Sequence, residues 1–327
     1  MNRLITYGSV DAIPFYNCSW KSSEEWLAVG VKRPWLGIPA VIAGVAIELL
    51  YFPVIYLIFK TKLIKLTCYK VMTLLALNDM AATVCSSLIT GTLLTQGAVF
   101  CSSPTFIYIA GTFTLSTWGS ACAITSSLFL NRIVSIAFKE YADIIEKRLA
   151  YASMVLCVVY LFFLTWFTPP PLFNSEVMAW LPNPLSEPEP SDEAMGWYEN
   201  APQNWNNMVF PMLMAFLFTV YGLLVKKLEN GQTSKASRSI FIQCSAIGFV
   251  NTVIAIVYRL LPFLSLAPWI FVVCQICWIV NHGLPAFIYV TMNATIRRET
   301  KKLLCGKHRV DGKHSSMVNT TSISQKV

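Results

Sequence analysis

The chain runs to 327 residues, 55% of them hydrophobic and only 13% charged, with a mean hydropathy of +0.55. A soluble domain carries about 25% charged residues, so this composition leaves too little polar surface for a water-soluble particle, and it is the reverse of a disordered chain's. Ten cysteines, whose one CxxC pair (Cys274 and Cys277) lies inside an apolar run, make neither a disulfide scaffold nor a zinc framework, and a net charge of +8 would mean nucleic acid only if it clustered on a soluble face.

A membrane-crossing helix needs about 20 mostly apolar residues to cover roughly 30 Å. Residues 1–36 contain no apolar run of the signal-peptide kind, so the first span is expected to direct insertion. That span is 37–59, with Glu48 as its one charge, and 71–94 follows with Asp79 inside. The third, 106–130, is free of charge, and 149–167, 208–225, 239–258 and 267–291 complete seven. The predicted class is an all-α membrane protein, a seven-transmembrane helix bundle (37–291) between an extracellular N-terminal segment (1–36) and a cytoplasmic tail (292–327).

Lys and Arg set the orientation. Twenty lie in 60–70, 131–148, 226–238 and 292–327, against five in 1–36, 95–104, 168–207 and 259–266. Cytoplasmic loops carry the excess, which puts the N-terminus outside and the C-terminus inside. The positive charge is thereby explained without a nucleic-acid partner. Trp35, Trp166, Trp205 and Trp269 fall at the outer ends of spans, where amphipathic rings prefer to sit. The loop 168–207 has six acidic residues, many prolines and no Lys or Arg. It reads as a lid whose field steers cationic ligands or as a solvated spacer. After the last span, Ile296, Thr300, Leu303 and Leu304 share one helical face and Arg297, Arg298, Lys301 and Lys302 the other. This is an amphipathic interfacial helix, which places Cys305 at its end for palmitoylation.

The spans lack the chemistry of seven-helix enzymes and pumps. Only His282 of three histidines is intramembrane, the last span has no lysine for a Schiff base, and no internal repeat is visible. No catalytic residue, metal or cofactor is expected. Intramembrane ionisable groups are costly and so are functional candidates. At 1.5 Å per residue Asp79, His282 and Glu48 lie in one layer, about 12–16 Å from the inner ends of their spans, with Asn78 and Asn281 beside them. The layer is either a cluster that takes a cation or a proton on activation, or a hydrogen-bond network that packs three helices.

Several segments, in order over about residues 16–298, resemble the nematode serpentine receptors of class T, seven-helix chemoreceptor-like proteins. They include Tyr16-Asn17-Cys18, Cys68-Tyr69-Lys70-Val71-Met72, Phe100-Cys101 with Pro104, Ile107-Tyr108-Ile109-Ala110-Gly111, Asn131-Arg132, Pro171-Leu172-Phe173-Asn174-Ser175, Asn251, and His282-Gly283-Leu284-Pro285 with Ile288-Tyr289. The resemblance implies coupling to a heterotrimeric G protein, an extracellular small-molecule ligand and a lipid environment, in a sensory-cell plasma membrane. It also implies that helices one, two and seven are neighbours, so the polar layer could meet. Asn131-Arg132-Ile133 stands where the wider rhodopsin-like class has an acid-Arg-Tyr motif, which makes Asn131 and Arg132 the implied G-protein contact. The competing reading of Arg132 is a snorkelling interfacial arginine. Ligand-gated channels or carriers, and non-signalling partner subunits, remain rival functions.

Two further sites follow from the topology. Asn17-Cys18-Ser19 is the one sequon placed outside, so Asn17 is the expected glycosylation site. Cys18 and Cys101 are the two cysteines outside both the spans and the cytosol, where a pair is expected to bond. The alternatives are two free thiols or a bond to a partner subunit.

Overall fold

The computed structural model describes residues 1–138, 142–183, 191–229, 235–260 and 268–304. Among them are seven helices long and apolar enough to cross a membrane: Pro34–Lys60, Thr67–Gln96, Pro104–Ala137, Ile144–Phe167, Ala201–Lys227, Ile242–Leu260 and Trp269–Met292. Each overlaps an expected span, and most run past it by a turn or so.

Two short helices, α1 (Asn2–Tyr7) and α2 (Ser23–Val29), precede the bundle. Ser22 and Glu25 form a reciprocal capping box on α2, with the Ser22 N–H donating to the Glu25 carboxylate at 2.7 Å. These Ser22 hydrogen bonds, backbone first, hold the Glu25 carboxyl below its usual range. The first span, α3 (Pro34–Lys60), opens with Pro34 at a position that needs no N–H. The second comprises α4 (Thr67–Thr83), a π-helical turn at Val84–Ile89, and α5 (Thr90–Gln96). The turn loosens the backbone ladder, and side chains satisfy what it frees: Gln275 donates to the Ser86 carbonyl at 2.6 Å and Thr90 to that of Cys85 at 2.7 Å.

The third span, α6 (Pro104–Ala137), is the central one. It packs against α4, α7 (Ala142–Phe167), α9 (Ala201–Glu229) and α10 (Lys235–Leu260). Its most apolar stretch is 61% buried, whereas that of α7 is 17% buried, so α7 shows most of its surface to lipid. α11 (Pro268–Met292) closes the bundle against α3, α4 and α10. The helix after it, α12 (Ala294–Leu304), buries Ile296 and exposes Arg297, Arg298, Lys301 and Lys302, as its pattern requires.

A separate apolar cluster sits at the end of the bundle where α3, α9 and α11 begin. There β1 (Leu172–Asn174) and β2 (Ala179–Leu181) form an antiparallel hairpin with Phe173 opposite Trp180. The N-terminal segment is tied to it: Arg33 donates to the carbonyls of Ser175 (3.1 Å) and Glu176 (3.0 Å). Tyr198, at the end of α8 (Asp192–Tyr198), donates to the Phe15 carbonyl at 2.6 Å. The spacer reading of the loop therefore fails for 172–181, where Leu172 and Phe173 are almost wholly buried. Glu187 and Glu189 lie outside the described residues.

Candidate functional site

Beneath the hairpin lies a small cavity of about 40 Å³, lined by Thr114, Leu115 and Trp118 of α6, Pro171 and Trp180 of the hairpin, Gln203 of α9, Tyr258 of α10 and Trp278 of α11. No lining residue carries a charge. The Trp118 indole N–H donates to Asn207 and that of Trp180 to Thr90, each at 2.9 Å. With those donors engaged, the rings offer faces and edges to an occupant. Mid-span tryptophans were the signal for this site, because Trp in a membrane protein otherwise gathers at the interfaces. Sequence reasoning used the terminal tryptophans and passed over Trp118 and Trp278.

One helical turn below Trp278 is His282, its ring edge-on to the indole at 6.4 Å between centroids. His282 and Asp79 are both buried, with Nδ1 2.9 Å from Oδ1. The third member is Tyr51 of α3, whose hydroxyl lies 3.1 Å from Asp79 Oδ2 and 2.6 Å from the His282 carbonyl. One hydroxyl proton serves two acceptors there. Helices one, two and seven do meet, as the resemblance implies, but through Tyr51. Glu48 stands three residues earlier, about 60° round the helix. It is half-buried and makes no hydrogen bond or ion pair with Asp79 or His282 among the described residues. Asn78 and Asn281 point elsewhere. Asn78 donates to the Thr117 carbonyl of α6 at 3.0 Å, and Asn281 to Asn251 of α10 at 3.1 Å. The layer thus links five helices through separate pairs.

At the far end of α6, Arg132 is 8% exposed. Its guanidinium donates to Asn131 Oδ1 at 2.6 Å and pairs with Glu146 of α7 at 3.2 Å. The acid missing beside the arginine is supplied fourteen residues along the chain. In this conformation Asn131 and Arg132 are turned into the protein. Of the Thr and Ser residues of α6, Thr112, Ser116 and Thr117 each donate to a carbonyl four residues earlier, whereas Thr114 lines the cavity.

Cys18 and Cys101 are joined in a disulfide, with Cα atoms 5.3 Å apart. Asn17 beside it is exposed, and its Oδ1 accepts the Ser19 N–H and O–H at 2.7 Å each. Cys305 lies outside the described residues.

Comparison with known proteins places the chain beside a receptor family. The family model described as the serpentine-type seven-transmembrane G-protein-coupled chemoreceptor Srt covers residues 3–313. A curated Caenorhabditis elegans protein, serpentine receptor class T-55, is 27% identical over 295 residues, covering 88% of this chain and 80% of that one.

Proposed function

The chain belongs to the Srt family of serpentine seven-transmembrane chemoreceptors, and on that basis we propose that it is a G-protein-coupled chemosensory receptor for an extracellular small molecule. The N-terminus and hairpin face outward in a sensory-cell plasma membrane, and the Arg132 end faces the G protein. The observation that carries this reading is the cavity under the hairpin, whose largely apolar, aromatic wall with a few placed polar groups is the lining of a small-molecule site. Its uncharged wall suits a neutral, flat or aromatic ligand better than the cation that the acidic loop alone suggested. Movement of Trp278 on binding would press on His282 and so on the Asp79–Tyr51 contact, and release of Arg132 from Glu146 would free the inner end of α6.

The test is a ligand screen in cells with paired second-messenger and current readouts. A second-messenger response whose half-maximal concentration rises tenfold or more in Trp118→Ala and Trp278→Ala supports the proposal. A current without a second-messenger change would favour a ligand-gated channel or carrier. The hydroxyls of Thr112, Ser116 and Thr117, bonded to their own helix, give no support to that rival.

A further inference from the structure

A second hollow opens on the outside of the bundle. α7 and α9 each pack on α6 and little on each other, leaving a groove of about 390 Å³ with α6 as its floor. Volumes of about 300–1,000 Å³ are usual for small-molecule sites. The walls are apolar, and Trp205, Val209 and Leu213 of α9 show 61%, 49% and 40% of their surface along its rim, so in a bilayer the groove faces lipid. At its floor is an uncharged polar notch. Tyr160 donates to Asn206 Oδ1 at 3.2 Å, and Asn206 Nδ2 reaches only the Cys122 sulfur at 3.6 Å and Asn207 Oδ1 at 3.3 Å. A sulfur is a weak acceptor, and the amide contact is longer than the usual 2.7–3.2 Å. The Tyr160 oxygen keeps acceptor capacity as well. Polar groups at a lipid-facing surface are expensive unless paired. Asn207 also accepts from Trp118, which lines the central cavity, so the notch and the cavity share one hydrogen-bond chain.

We propose that this groove binds an uncharged lipid alcohol of sterol size taken from the bilayer. Its hydroxyl accepts from Asn206 and donates to Tyr160, and its hydrocarbon body lies along Val209 and Leu213. No charge is present in the notch to hold a phosphate or ammonium headgroup, and one donor–acceptor pair matches one hydroxyl. The site is separate from the central cavity, and its test reads binding, so it stands or falls independently of the receptor reading.

The full chain in phosphatidylcholine nanodiscs is irradiated with a diazirine-bearing cholesterol probe, and labelled peptides are mapped. Labelling is expected to concentrate on α6, α7 and α9 peptides containing Cys122, Tyr160 and Asn206, and to fall at least fivefold with excess unlabelled cholesterol. Leu213→Trp and Val209→Trp, both at lipid-exposed positions that tolerate a larger apolar ring, should each reduce it at least threefold by filling the groove. Asn206→Leu should do the same, and a probe with its hydroxyl methylated should label several-fold less. Labelling spread evenly round the bundle, or groove labelling indifferent to both tryptophan variants and to methylation, would overturn the proposal.

Discussion

At the scale of single residues, the buried contacts separate side chains that only carry charge from those that make bonds. Tyr51→Phe removes the one hydroxyl shared by Asp79 and the His282 carbonyl, leaving a buried acceptor unmet at a cost of about 1–3 kcal/mol. Thermal unfolding in nanodiscs should shift downward for Tyr51→Phe and hardly at all for Glu48→Gln. If Glu48→Gln proves the more damaging, the α3 partner of the layer is misassigned. Asp79→Asn keeps the shape of the carboxyl and removes its charge, so altered signalling with normal surface expression is expected if the pair works in activation. Equal loss of both would mean that it only packs helices. Glu146→Gln weakens the hold on Arg132, and should raise ligand-independent second-messenger levels a few-fold in cells. An unchanged baseline would remove Glu146 from any resting-state restraint.

At the scale of elements, the spans were legible because hydropathy and Lys/Arg placement are properties of each segment alone. The features that needed partners were not. The π turn at 84–89 is stabilised by Gln275, 189 residues away, and Ser87 also donates to the Ala40 carbonyl of α3. Nothing local in Val84–Ile89 announces either contact. The hairpin was hidden in a loop whose acids and prolines look solvated, while its buried face is set by Ala98, Val99 and α6. Charge drew attention to Glu48, whereas a tyrosine in an apolar span, such as Tyr51, carries no signal of its own. Arg132 and its missing acidic neighbour were visible, but the substitute Glu146 required the α6–α7 packing. Close approach is also illegible from one segment. A Cβ on Gly111 would lie 1.9 Å from the Pro171 carbonyl oxygen, and one on Gly37 2.3 Å from that of Gly91. Small residues let membrane helices approach this closely. Gly111→Ala should therefore displace the hairpin backbone, seen as faster proteolysis within 168–183 and a lower unfolding temperature. Unaltered cleavage and melting would show that the hairpin does not rest on α6 as described.

At the scale of the whole molecule, orientation and the cap over the cavity are one question. The N-terminal segment, α2, the hairpin and α8 share an apolar cluster above the bundle, and the Cys18–Cys101 bridge ties that cluster to the start of α6. The cysteines are 83 residues apart, and closing such a loop is worth about 4–5 kcal/mol in the chain-entropy model, an upper figure for a chain already confined by a membrane. A bridge of this kind persists only in an oxidising compartment. The Lys/Arg distribution argues independently for the same end outside. Non-reducing peptide mapping of protein from the cell surface should recover Cys18 and Cys101 as one linked pair. An N-terminal epitope should be accessible to antibody on intact cells and one at Val327 only after permeabilisation. The two measurements must agree, because a cytosolic N-terminus would leave both cysteines as alkylatable thiols. Separate thiols with an external N-terminus would keep the orientation and remove the tether. A buried N-terminal epitope would overturn the orientation, and with it the placing of the aromatic cavity on the side from which an environmental ligand arrives.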